Sequence, residues 1–240
     1  MGFNEKLHAY IAARFYVRLA RSYGERGKTA FIHATQFYAE QRGRRMAKRA
    51  IADGQPLTYE TYRAYGEWES TEEMKAEGCA NRSEVVSTGP AFEFHVLACP
   101  WHEQFRAMGL EEAGLVYCAH LDNSISRGFN PYMVYEVPQT LHDHPYCIQR
   151  VTNQQGLAPG QTAQTAAFDP SKARPAEERR RDFEYHCAHS YWSYARTAEA
   201  IFGEEGRAIA EAVLSDIAED WGEDYNTVIR KYVTFDFEMI

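Results

Sequence analysis

The sequence predicts an α+β fold, with a central antiparallel sheet of four or five strands flanked by an N-terminal and a C-terminal helical pair. Three observations carry this. Residues 1–54 place apolar side chains at helical spacing. Residues 84–153 break into short β-branched and aromatic runs bounded by turn residues. Residues 176–240 return to helical character and echo the first segment. The order helix, sheet, helix reads as one α+β domain over 1–240.

Taken in order, Asn4 is a helix N-cap, and Leu7, Ile11, Phe15 and Leu19 form an apolar stripe at i+4. Gly24 suits a left-handed stop. A second helix runs from about Lys28 to Ala50 and meets the turn Asp53-Gly54. Glu60 to Met74 is polar, Tyr-rich and helical in part. Strands are expected at Glu84-Val-Val-Ser, Phe92 to Leu97, Leu115 to His120, Tyr132 to Val137 and Tyr146 to Val151. A helix from Cys99 to Leu110, with Pro100 in its first turn, lies between the second and third of these. Phe129-Asn-Pro131 reads as a turn. Residues 154–175, rich in Gly, Gln, Thr, Ala and Pro, read as a linker. The C-terminal pair repeats the N-terminal one at an offset of 179. Gly24-Glu-Arg-Gly27 matches Gly203-Glu-Glu-Gly206, Phe15 matches Tyr194, Tyr23 matches Phe202, Lys28 matches Arg207, and Gly43 matches Gly222. The two units should pack together or be related by a pseudo-twofold. The pocket should lie between them and the sheet, walled by Phe15, Tyr38, Tyr191 and Trp192.

At 240 residues, with 45% hydrophobic and 25% charged, the chain can bury a core. A net charge of −8 argues against nucleic-acid binding and against an electrostatic membrane partner. An anionic substrate must therefore be held by local Arg or Lys. No apolar run reaches the ~18–20 residues of a membrane span, and the N-terminus lacks a signal-peptide core. The expected location is cytoplasmic, where five cysteines are free thiols, ligands or nucleophiles.

The chemistry-bearing residues concentrate in the middle. Cys118-Ala-His120-Leu-Asp122 is followed by His142-Asp-His144-Pro-Tyr-Cys147, and His95, Cys99 and His102 come just before. On a strand, Cys118, His120 and Asp122 would share one face about 7 Å apart. Cys118 is then a nucleophile, His120 its base and Asp122 the carboxylate that orients the imidazole. Since i and i+2 are far apart for a direct hydrogen bond, His144 or His142 from a neighbouring strand could be the partner. Cys99, at a helix start, would have a lowered thiol pKa and share a face with His102. Cys147 and Arg150 follow on one strand, and Arg150 suits a substrate carboxylate. The Arg42–Arg49 and Arg179–Arg181 clusters read as solvated helix faces, and His186 with His189 as packing at a helical interface. The Cys and His residues would also accept zinc, although their spacing matches no strong zinc signature.

Tyr38-Ala-Glu-Gln-Arg-Gly-Arg-Arg-Met-Ala, Ala98-Cys-Pro-Trp-His, Cys118, Asp122, Arg127-Gly-Phe-Asn-Pro131, Thr140-Leu and Cys147 together resemble the L-2-amino-thiazoline-4-carboxylic acid hydrolase family. The likeness covers roughly 30 to 150. It implies addition of water to the C=N carbon of a small carboxylated cyclic amidine or isothiourea, which opens the ring. The expectation is a hydrolase acting at a C–N bond through Cys118, His120, Asp122 and His144, with Cys99, His142, Cys147 and Arg150 holding an anionic substrate. This reading needs no cofactor and is compatible with a homo-oligomer. The alternatives are a zinc-type hydrolase or lyase, and a non-catalytic sensor of a small ligand or metal.

Overall fold

Asn4 opens the chain's regular structure by accepting a hydrogen bond from the Leu7 amide in the computed structural model, which describes residues 2–162 and 167–237. The first helix, α1 (Glu5–Tyr23), is followed directly by α2 (Glu25–Ala52). Two short helices, α3 (Tyr59–Ala64) and α4 (Glu72–Ala76), start at Thr58 and Thr71, whose side chains cap them. Then come β1 (Arg82–Ser87), β2 (Phe92–Ala98), α5 (Pro100–Ala107), α6 (Glu111–Phe129), β3 (Val134–Gln139) and β4 (Cys147–Thr152). The chain closes with α7 (Ala176–Arg179), α8 (Phe183–Phe202), α9 (Glu204–Asp220) and α10 (Glu223–Lys231).

The sheet has four antiparallel strands in the order β1-β2-β4-β3, so the expected α+β architecture holds. Strand alternation sorts its side chains. Phe94 pairs with Gln149, Phe92 with Val151 and Val96 with Cys147, and these face the helices. Glu93 and Arg150 pair on the other face. Pro138 falls where the β3 register slips, on an edge strand, where a missing N–H costs least.

One expected strand is a helix. Leu115 to His120 lies inside α6. The local run Leu-Val-Tyr-Cys has strand character, but the longer pattern Ala113, Tyr117, Leu121, Ile125, Phe129 recurs every four residues, and all five are buried. Burying that stripe against α2 outweighs the local preference.

The repeat is real in three dimensions. Gly24 and Gly203 have φ of 56° and 60° and ψ of −132° and −133°, each joining two helices with no intervening residue. At Gly27 an added Cβ would lie 2.0 Å from the Leu19 carbonyl oxygen, and at Gly206 the same distance from that of Ala198. The two hairpins pack face to face, so that matched residues meet. Phe15 stacks on Tyr194 at 5.2 Å, and Tyr23 on Phe202 at 3.8 Å with planes 2° apart. Self-contact between equivalent positions is the mark of a local twofold. The match fails at Gly43, which lies mid-helix in α2, whereas Gly222 follows the end of α9.

Gly43 has another task. A Cβ there would sit 2.0 Å from the Ile125 carbonyl oxygen, and one on Gly128 would sit 2.4 Å from that of Glu40. Helices α2 and α6 therefore cross with their backbones in contact. This crossing sets Arg42 of α2 and Asp122 of α6 beside the inner face of the sheet. The described part of 154–175 is anchored to the turn that ends α2: Gln55 and Asp169 exchange hydrogen bonds, and Arg174 pairs with Asp53. Residues 163–166 of that expected linker lie outside the described residues. No helix among the described residues is long and apolar enough to cross a membrane.

Candidate functional site

A cleft of about 350 Å³ opens between the inner face of the sheet and α2, α3 and α6. Tyr59, Tyr62, Phe92, Phe94 and Tyr135 form its walls, and Arg42, Trp68 and Asp122 lie among its lining residues. Tyr59 and Tyr62 stack at 5.8 Å, and Tyr62 reaches Tyr135 at 6.3 Å. Burial raises the phenol pKa of all three, so they stay neutral. The expected wall of Phe15, Tyr38, Tyr191 and Trp192 is not here. The first three lie in the core between the helical pairs, and Trp192 lines a separate surface hollow with Phe37 and Phe235.

Asp122 is the one expected catalytic residue that lines this cleft. Burial raises its carboxyl pKa, while the Arg42 charge and the Gln149 side chain pull the other way. The Gln149 amide lies 3.5 Å from Oδ2. The result is a carboxylic acid poised above the usual range in an aromatic pocket.

Helical geometry separates the expected trio. Cys118 and Asp122, four apart, share a face of α6, while His120, two residues from each, projects from another side. His120 therefore does not meet Cys118 as a strand would have it. Cys118 instead has its Sγ 3.6 Å from Nε2 of His142, whose Nδ1 lies 3.4 Å from Nδ1 of His102. The His142 ring lies over Gly114, where a Cβ would be 2.1 Å from its Cε1. Burial pushes the Cys118 thiol well above its ordinary value, with Cys99 and Asp122 adding to the rise. Burial also lowers His142 to about 4. The pair is thus a neutral thiol beside a neutral imidazole.

Cys99 does sit at the start of α5, and amides of His102 and Trp101 do favour its thiolate, but burial dominates and pushes it up to about 12. The expected lowering at a helix start is outweighed by desolvation. Cys147 is buried on the inner face and accepts the Leu141 amide at 3.3 Å. His144 sits on the loop before β4 with Nδ1 2.9 Å from its neighbour Asp143. Arg150 faces away from the cleft and donates to Glu93 at 2.8 Å, so it does not point at a substrate there. His95, on that same outer face, stacks on Tyr146 at 4.4 Å. Among the described residues, no three His, Cys, Asp or Glu side chains are grouped so as to hold a metal ion.

The Arg42–Arg49 segment is not a solvated face. Arg42, Arg45 and Arg49, spaced three and four apart, turn inward, while Arg44 and Lys48 turn out. Glu67, fully buried, receives Arg45 at 2.7 Å through two nitrogens and Arg49 at 2.6 Å. Burial alone would raise Glu67, but these guanidinium groups override it and hold the carboxyl well below its usual range. Arg42 stacks over Trp68 at 3.2 Å, and its Nε is 3.7 Å from Glu67. The residues missed from sequence are thus Arg42, Tyr59, Tyr62, Tyr135 and Gln149. The 3-and-4 arginine spacing was the available signal for Arg42. His186 and His189, as expected, are buried in the helical interface.

The fold and site together define a helix-flanked sheet protein with a half-buried acid and a buried arginine lining one aromatic cleft. The chain belongs to the L-2-amino-thiazoline-4-carboxylic acid hydrolase family, whose model matches residues 4–147, more than half its length. The family's name is that of a hydrolase, and the matched span contains the cleft's Arg42 and Asp122. No curated protein and no solved structure matches the chain.

Proposed function

We propose that this protein is a ring-opening hydrolase of a small cyclic amidine or isothiourea that carries a carboxylate, with Asp122 as its acid–base group. The observation that carries this reading is Asp122 itself, half-buried beside the α2–α6 crossing and lining an aromatic cleft of small-molecule size, its carboxyl pKa raised by desolvation. Its carboxylate takes a proton from a water that attacks the ring carbon between nitrogen and sulfur. The C=N electron pair moves to the ring nitrogen, which takes that proton from Asp122, and the new C–O bond leaves a neutral tetrahedral adduct. Asp122 then takes the adduct's hydroxyl proton and gives it to the departing ring heteroatom as its bond to that carbon breaks and the carbonyl forms. A raised pKa suits a group that must act first as base and then as acid. Neutral tyrosines line the approach and limit bulk water. All five cysteines are free, which fits the reducing cytoplasm suggested by the sequence.

The test is hydrolysis of 2-amino-thiazoline-4-carboxylate by the purified protein and by Asp122→Asn. Turnover by the parent and a loss of at least about 100-fold in the variant is expected. No turnover by the parent, or retention in the variant, overturns the reading. The C–N assignment made from sequence predicts a new free amine; a new free thiol would move the broken bond to C–S.

A second reading has one observation in its favour, the 3.6 Å approach of His142 to the Cys118 thiol. There Cys118 adds to the ring carbon as His142 takes its proton and passes it to the C=N nitrogen, the ring heteroatom leaves with a proton as its bond to that carbon breaks, and water then hydrolyses the S-bound intermediate to free the thiol. It predicts that substrate protects Cys118 from iodoacetamide and that Cys118→Ser is inactive.

A further inference from the structure

We propose that Arg42 is the carboxylate anchor of this cleft and the residue that makes it select an acidic ring over its uncharged counterpart. The proposal rests on the reading of the cleft as a small-molecule site, and it assigns a task that the sequence pointed to Arg150.

Three observations converge on Arg42. Its side chain is 5% exposed and lines the cleft. Its Nη1 is buried with no partner within the protein, and its Nε, ion-paired with Glu67 at 3.7 Å, forms no hydrogen bond. A buried, unpartnered guanidinium N–H is costly unless a ligand or water completes it. Finally, the local charges do not balance. Arg42, Arg45 and Arg49 surround Glu67 alone, and its two oxygens already accept Arg45 and Arg49 at 2.6–2.7 Å. Three positive groups against one negative leave a surplus that an incoming anion would neutralise. Asp122 only partly offsets it, because burial favours its protonated form.

The placement is rigid. The guanidinium plane is backed by Trp68, which is itself packed on Trp101 and Phe183. The neighbouring Gly43 locks α2 against α6, fixing Arg42 relative to Asp122. A planar ring held by its carboxylate at Arg42 would thus present its other edge to Asp122 between the tyrosines. Arg63, the other arginine among the lining residues, stacks on Phe92 at 4.9 Å and is less buried.

The experiment compares 2-amino-thiazoline-4-carboxylate with 2-amino-thiazoline as substrates, and thiazolidine-4-carboxylate with thiazolidine as calorimetric binding probes. Wild type, Arg42→Lys, Arg42→Gln and Arg63→Gln are measured, with circular dichroism as the folding control. The expected result is a preference for the carboxylated compound of at least about 100-fold in wild type, since a site built for a group rejects an analogue lacking it. Arg42→Lys keeps the charge but not the planar donor set, and should narrow that preference to below about tenfold, chiefly through KM. If Arg42→Gln fails to fold, the lysine variant decides. Unchanged preference in folded Arg42→Lys overturns the proposal, as does loss of preference in Arg63→Gln alone. Wild type that binds thiazolidine-4-carboxylate through Arg42 but hydrolyses nothing would overturn the enzymatic reading and keep this one. Hydrolysis with equal affinity for both probes would do the reverse.

Discussion

Replacing Gly43 with alanine tests the backbone contact on which the site depends. The added Cβ would lie 2.0 Å from the Ile125 oxygen, 2.7 Å from the Phe129 nitrogen and 2.9 Å from the Gly128 carbon. A carbon–oxygen contact relaxes only near 3.3 Å, so the helices must part by about 1.3 Å at the crossing. All three obstructing atoms are backbone and cannot swing away. Overpacking of this kind costs about 1–3 kcal/mol, with the upper end expected here. Alanine returns about 1 kcal/mol of helix propensity. The net expectation is a loss of about 2 kcal/mol, or a Tm drop of about 4–8 °C for a chain of this size. Thermal unfolding followed by circular dichroism reads it directly. Gly114→Ala is the control, because its obstruction is the movable His142 ring, and its Tm should stay within about 2 °C. If Gly43→Ala is as stable as the parent, or no worse than Gly114→Ala, the close crossing is not as described.

Asp122→Asn should stabilise the protein at pH 8. A carboxyl with a raised folded pKa contributes stability below its unfolded pKa that is lost as pH rises through the folded one, and the amide removes that loss. The gain should vanish toward pH 4, and a Tm series against pH would expose its absence. Glu67→Gln should cost about 3–5 kcal/mol at pH 7, because it strands buried arginines. Glu67 is depressed, so its contribution is present above the ordinary glutamate pKa and disappears as pH falls through the folded value; denaturant titration at several pH values checks this. Cys118→Ser should retain activity within about tenfold if Asp122 is the acid–base group. Iodoacetamide should label the thiol slowly, since burial keeps it protonated.

Most of the scaffold could be read from residue spacing. The cap at Asn4, the strands at 84 and 92, and the Pro100 helix start all follow local rules that the structure obeys, and Gly24 ends α1 at positive φ as expected, though with ψ of −132° rather than the αL value. The error at 115–120 came from weighing six residues alone, whereas the α6 stripe spans Ala113 to Phe129. That error carried into the site: strand alternation put His120 beside Cys118, and the helix turns it aside. Asp122 was legible because its place beside the Arg127-Gly-Phe-Asn-Pro131 segment resembles a family pattern. Arg42 was not, since a run with five basic residues reads as solvated until Glu67 is seen inside it. Arg150 was misplaced because the strand's register, unknown from sequence, decides which face it takes.

The stacking of Phe15 on Tyr194 and Tyr23 on Phe202 has a bearing on where the working unit ends. The family match stops at residue 147, yet the second half of each stacked pair lies beyond it. The two hairpins are joined as a tethered dimer, each held near the other at the high effective concentration that a covalent link supplies. Phe183 and His186 of α8 also buttress Trp68. A fragment cut at 147 would therefore lose the surface that backs its own arginine, and the C-terminal helices count as part of the body that shapes the cleft rather than an appendage.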